Sequence, residues 1–136
     1  MEVHPYILQR FMLYKSILLI DDDLDDAEIL FEAVKSLEEK VICRIVTSPV
    51  IAMEELKNGQ NLPELIFLDL NMPVISGPEF LQQLKNDAAL EQIPVIVYSS
   101  HTIEIMQKLT QQFDKVRCIS KPNDYKELVC VLQDIL

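Results

Sequence analysis

The sequence predicts an α/β fold in which the strands of one parallel sheet alternate with helices in a single domain. Three observations lead there. Short apolar runs stop abruptly on polar groups: Ile17-Leu18-Leu19-Ile20 meets Asp21-Asp22-Asp23, Leu65-Ile66-Phe67-Leu68 meets Asp69, and Val95-Ile96-Val97-Tyr98 meets Ser99-Ser100. A fourth, Val116-Arg117-Cys118-Ile119, leads to Ser120-Lys121-Pro122. Unbroken apolar runs of this length read as strands buried on both faces, as parallel sheets require. Between the runs, apolar residues recur at helical spacing behind helix-start signals. Finally, 136 residues with 49% hydrophobic content suffice for one core and are too few for two ordinary domains.

Taken in order, the first strand is Ser16 to Ile20. Asp23 can cap the helix that follows, where Ala27, Leu30, Phe31, Val34 and Leu37 share a face. Asp25, Asp26 and Glu28 crowd its first turn, where acids favour the positive end of the helix dipole, and read as solvated side chains. Val41 to Thr47 is the second strand. Ser48-Pro49 opens a second helix through Met53 and Leu56, and Asn58-Gly59 stops it. After Asp69 the chain turns at Pro73, and Ser76-Gly77-Pro78-Glu79 has the capping-box spacing ahead of Phe80, Leu81 and Leu84. Pro94 marks entry to the fourth strand. Thr102, Ile105, Met106, Leu109 and Phe113 give a fourth helix; Tyr125, Leu128, Val129, Leu132 and Ile135 give the fifth. Right-handed crossovers joining five such units fit a flavodoxin-like (βα)5 three-layer sandwich with a five-stranded parallel sheet of order 2-1-3-4-5.

Composition excludes several functions. A formal charge of -10 argues against direct binding to nucleic acid, because phosphate contacts need a surplus of lysine and arginine. Cys43, Cys118 and Cys130 are too widely spaced for a zinc site and too few for a disulfide framework, so they read as reduced core residues of a cytoplasmic protein. No apolar stretch approaches the ~20 residues of a spanning helix, so no membrane insertion is expected. Pro5 and Arg10 interrupt the place where a signal peptide would be apolar.

Ligands and chemistry collect at the carboxyl ends of strands in open α/β sheets, which makes Asp69 a better functional candidate than a helix-face acid. An acid pair, an acid, a hydroxyl and a lysine arrive in that order at successive strand ends: Asp21-Asp22, Asp69, Ser99 and Lys121. This order resembles the receiver domain of two-component response regulators, the chemotaxis-regulator-like family, over about Tyr14 to Leu136. The resemblance divides the chain into an N-terminal extension, 1–14, and a stand-alone receiver, 15–136. The apolar residues Tyr6, Ile7, Leu8, Phe11, Met12 and Leu13 leave two readings of the extension open: a short helix or association element, or a dispensable segment ahead of a start at Met12.

If Asp21, Asp22 and Asp69 converge, each pair of charges about 4 Å apart repels by about 4 kcal/mol at an effective dielectric near 20, so a cation is required. Hard carboxylate oxygens with open positions suit magnesium. The resemblance implies that Asp22 and Asp69 ligate Mg2+ directly, that Asp21 acts through water, and that the Asn71 backbone carbonyl adds an oxygen. It further implies that Asp69 accepts a phosphoryl group from a phosphohistidine on a sensor histidine kinase or histidine phosphotransfer protein. Lys121 and the Ser99 hydroxyl then stabilise the phosphoryl oxygens, and an unknown downstream protein reads the result. Such a module assists its own phosphorylation and dephosphorylation and is not otherwise an enzyme.

Other readings fit less well. Asp21, Asp23, Asp25 and Glu32 match EF-hand positions, but Asp26 stands where that loop needs glycine. A flavin carrier needs a hydroxyl- and glycine-rich phosphate loop after the first strand, and acids there would repel the phosphate. A phosphorylation-independent adaptor is the alternative, because two family features are missing. The usual aromatic residue three positions before the lysine is Cys118, and the usual Gly-Ala before the fifth strand is replaced by Phe113-Asp114-Lys115. Phe113 or Tyr98 is expected to substitute for the aromatic. The resemblance also implies a cis Lys121-Pro122 bond, and His4 and His101 read as surface residues, the latter with at most an influence on access.

Overall fold

The computed structural model describes residues 14–59 and 61–136, so the readings placed on the N-terminal extension lie outside the described residues save for Tyr14. Five strands and five helices alternate: β1 Ser16–Ile20, α1 Leu24–Leu37, β2 Ile42–Val46, α2 Pro49–Asn58, β3 Leu65–Leu68, α3 Gly77–Lys85, β4 Val95–Ser99, α4 Ile103–Thr110, β5 Val116–Ser120 and α5 Tyr125–Ile135. All four strand pairings are parallel, and the sheet order is β2-β1-β3-β4-β5.

Period-two alternation along the strands divides the core in two. Leu18, Ile20, Ile66, Leu68, Val95 and Val97 pack with side chains of α2, α3 and α4. Ile17, Leu19, Leu65, Phe67, Ile96 and Tyr98 pack with α1 and α5. The central strands β1, β3 and β4 are thus sealed on both faces, while the edge strand β2 leaves Ile42 exposed. Each helix start predicted from a cap is present: Asp23, Ser48 and Ser76 accept from Asp26, Ile51 and Glu79 backbone N–H groups, and Ser76 and Glu79 form a reciprocal capping box.

Two boundaries differ from the sequence reading. Strand β2 is shorter at both ends than Val41–Thr47. Helix α4 stops at Thr110, whose hydroxyl donates back to the Met106 carbonyl at 2.8 Å, and Phe113 follows in a turn with its N–H on the Thr110 carbonyl. Phe113 still packs against the α2–α3–α4 side of the core. The implied cis bond before Pro122 is also corrected: no peptide bond among the described residues is cis. The trans form is the lower-energy one for X-Pro, by about 0.5–1 kcal/mol.

Candidate functional site

The chain leaves β1 outward to β2 and then returns across β1 to β3, so the loops after β1 and β3 diverge and open a crevice at their carboxyl ends. Asp21, Asp22 and Asp69 lie at this crevice. One carboxylate oxygen from each lies within 4.8 Å of the others, with Asp21 and Asp69 buried and Asp22 exposed. The strand ladder sets their spacing: the Asp69 N–H donates to the Ile20 carbonyl at 3.0 Å, tying the start of one acidic loop to the end of the other strand. Asp21 turns inward by accepting the Asp23 N–H at 3.0 Å. Asp23, Asp25 and Glu32, which the EF-hand spacing would need, are outside this group.

Gly77 fixes the far side of the loop after Asp69. Its N–H donates to the Leu70 carbonyl at 2.9 Å, and α3 begins directly against the backbone of Asp69 and Leu70. The intervening turn holds Val74 at φ +71°, closed by a hydrogen bond from the Ile75 N–H to the Pro73 carbonyl at 2.8 Å.

Ser99 ends β4 with its side chain fully buried, and its hydroxyl oxygen accepts the His101 N–H at 3.4 Å. The adjacent strand supplies Lys121, whose N–H donates to the Ser99 carbonyl at 2.7 Å. The Lys121 ammonium reaches back toward β1, 3.4 Å from Asp21 Oδ2 and 2.9 Å from Asp26 Oδ2, and its Nζ stands 5.4 Å from the centre of the Tyr98 ring. Thus the residues singled out in the sequence at the ends of four different strands come to one edge of the sheet.

The structure corrects the expectation of a solvated helix-start acid at Asp26, which makes the shorter of the two Lys121 ion pairs. Its place in the first turn of α1 was a visible signal, but its partner is 95 residues away in the chain and could not be read from spacing. His101 lies at the surface as expected and has a partner there. Its Nε2 lies 3.0 Å from the Asn71 amide nitrogen and 3.2 Å from the amide oxygen, joining the loops after β3 and β4 over the crevice. Cys118 is half-buried, with its sulfur 3.4 Å from the Thr110 hydroxyl, and Cys43 is half-buried too. Cys130 is exposed, which corrects its reading as a core residue: α5 turns Leu128 and Leu132 to the core and Cys130 away from it.

The electrostatics follow from burial and crowding. Desolvation raises the Asp69 carboxyl to about 6; the Asp21 charge pushes the same way, Lys121 and the Asn71 N–H oppose, and Asp22 raises it further. Burial also raises Asp21, against the Asp23 N–H and Lys121. Burial by itself would lower Lys121, but the hydrogen bond to Asp26 and the charges of Asp21 and Asp69 outweigh it, and the ammonium is held above its usual range. One lysine beside three clustered acids leaves an excess of negative charge on hard oxygen donors. That donor set fits a small divalent cation with water in its remaining positions.

Comparison with known proteins gives a consistent answer. A profile of the response regulator receiver domain matches residues 17–133. Response regulator Rcp1 of Synechocystis sp. is 28% identical over 126 residues, covering 89% of this chain and 86% of Rcp1. The crystal structure of the Mn2+-bound form of Rcp1 aligns with a TM-score of 0.76 at 29% identity, covering 89% of this chain and 91% of that one. The phosphorylated cyanobacterial phytochrome response regulator RcpA aligns with a TM-score of 0.79 at 29% identity, over 90% of this chain and 91% of that one. The match extends to larger proteins: hybrid signal transduction histidine kinase M of Dictyostelium discoideum is 24% identical over 88% of this chain, which spans 5% of that protein's length.

Proposed function

The chain belongs to the response regulator receiver domain family, and from that membership we propose that Asp69 is the phosphoacceptor of a two-component or phosphorelay pathway. The observation that carries this is the convergence of the Asp21, Asp22 and Asp69 carboxylates within 4.8 Å beside a lysine already paired to Asp21. The donor is a phosphohistidine on a sensor histidine kinase or histidine phosphotransfer protein. An Asp69 oxygen bonds to phosphorus as the P–N bond breaks, and the electron pair leaves with the imidazole. Hydrolysis of the acyl phosphate later returns the carboxylate and inorganic phosphate.

A carboxylate is a weak nucleophile, and phosphoryl transfer asks the protein mainly for positioning and for charge neutralisation. Ser99 and Lys121 are suited to this. The Ser99 hydroxyl accepts one long backbone hydrogen bond and has its own proton to donate to a phosphoryl oxygen. The Lys121 ammonium offers three donors, anchored through the main chain to Ser99. Mg2+ bound by Asp22 and Asp69, with Asp21 acting through water and the Asn71 carbonyl contributing, would neutralise charge on the incoming group. Partner binding then changes because a downstream protein prefers one of two surface states. A cytoplasmic setting belongs to the same proposal, since three widely spaced cysteines supply no disulfide framework.

Incubation with Mg2+ and phosphoramidate, followed by intact-mass measurement, tests the proposal. A phosphate adduct is expected on the wild type and none on Asp69→Asn. A folded wild type that takes no adduct overturns it in favour of a phosphorylation-independent adaptor.

A further inference from the structure

Lys121 is the cation the proposed chemistry needs, yet its ammonium is held on the α1 side of the site. The shorter of its two ion pairs, 2.9 Å, is with Asp26, the other is with Asp21, and Asp69 is in neither. The lysine side chain is 17% exposed and that of Asp26 is 43% exposed, so a rim carboxylate reaches in to a mostly buried ammonium. Between α1 and α5, Asp26, Tyr98, Lys121, Tyr125 and Leu128 line a cleft of about 280 Å³, so the Asp26 end of this contact borders open space. Two carboxylates hold the ammonium on this side, and the nearer of them belongs to α1.

We infer that Asp26 is a positioning residue that latches Lys121 in the resting protein, so that a phosphoryl group arriving at Asp69 gains the lysine only by drawing it from Asp26. This rests on the reading of Asp69 and Lys121 given above. A phosphoryl group carries more charge than one carboxylate and offers three acceptor oxygens, which lets it win the competition. The latch slows phosphorylation and shortens the period for which Lys121 supports the phosphorylated state. A partner carrying a cation that takes over Asp26 would release the lysine.

Two measurements on the full chain test the latch. The first is the rate of adduct formation from phosphoramidate with saturating Mg2+, for wild type, Asp26→Asn, Asp26→Glu and Asp25→Asn. Asp25 is exposed in the same helical turn and outside the Lys121 ion pairs, so it controls for the loss of one negative charge. Asp26→Asn should react about threefold to fivefold faster, the range a part-exposed ion pair supports. Asp26→Glu and Asp25→Asn should stay near the wild-type rate. The second is the 15N resonance of the Lys121 ammonium in metal-free protein without donor: slow hydrogen exchange should keep it visible in wild type and Asp25→Asn and lose it in Asp26→Asn.

Equal rates for Asp26→Asn and wild type, equal acceleration by Asp25→Asn, or an ammonium signal unchanged in Asp26→Asn would each overturn the latch. A wild type that takes no adduct instead removes the Asp69 reading, and the resonance still decides whether Asp26 holds Lys121.

Discussion

Gly77 lies against the backbone of Leu70 so closely that a Cβ there would stand 2.6 Å from the Leu70 Cα and 2.9 Å from the Asp69 carbonyl oxygen. Both contacts are with backbone, which a rotamer change cannot relieve. Gly77→Ala must therefore shift either α3 or the loop that carries Asp69. Such overpacking costs about 1–3 kcal/mol. Urea denaturation should show that loss, and the phosphoramidate reaction should slow as the carboxylate moves. An unchanged midpoint with an unchanged rate would contradict this account of the loop.

The turn at Val74 stores strain next to the site. A positive φ is a steric outlier for a β-branched residue, and here it closes a tight γ-turn on the Pro73 carbonyl with the residue 85% exposed. No packing is lost when the side chain is removed. Relief of strain exceeds the entropy that glycine adds to the unfolded chain, so Val74→Gly should stabilise the protein by about 1 kcal/mol. Thermal unfolding checks it, and a lowered melting temperature would refute it.

Asp69 links stability to pH. Its carboxyl is raised from 3.8 in the unfolded chain to about 6 in the folded one, so between those values the folded state binds more protons. Its contribution is fully present below about pH 4 and is lost as pH rises through about 6, leaving the metal-free protein burdened at neutral pH. Asp69→Asn removes the burden and should stabilise metal-free protein at pH 7 by about 2–3 kcal/mol. The advantage should shrink toward pH 4. Urea denaturation across this range measures both, and an advantage that grows in acid would reverse the assignment.

Magnesium should undo the same strain. If it binds only the folded state, a concentration near 100 times its dissociation constant adds about 2.7 kcal/mol. The gain should vanish in Asp69→Asn and weaken as pH falls through about 6, because protons compete for the carboxylates. A melting temperature indifferent to Mg2+ at pH 7.5 would remove the metal from the site.

Much of this was legible in the chain because it depends on neighbours. The caps at Asp23, Ser48 and Ser76 are contacts over three residues, and the unbroken apolar run of β3 matches its burial on both faces. The stop of α4 was missed for the opposite reason. Phe113 keeps the apolar periodicity and reaches the core, while the helix ends three residues earlier, so side-chain pattern and backbone part company there.

By itself the sequence determined the order of elements and the delivery of two acids, an acid, a hydroxyl and a lysine to successive strand ends, since strand period and helix caps are local properties. Only the tertiary structure decided which charges meet: that Lys121 pairs with Asp26 and Asp21, that Asn71 reaches His101, and that Gly77 must stay bare against Leu70. Those choices join residues from different loops, where burial and competition between carboxylates for one ammonium set the outcome, and no spacing along a chain encodes that competition.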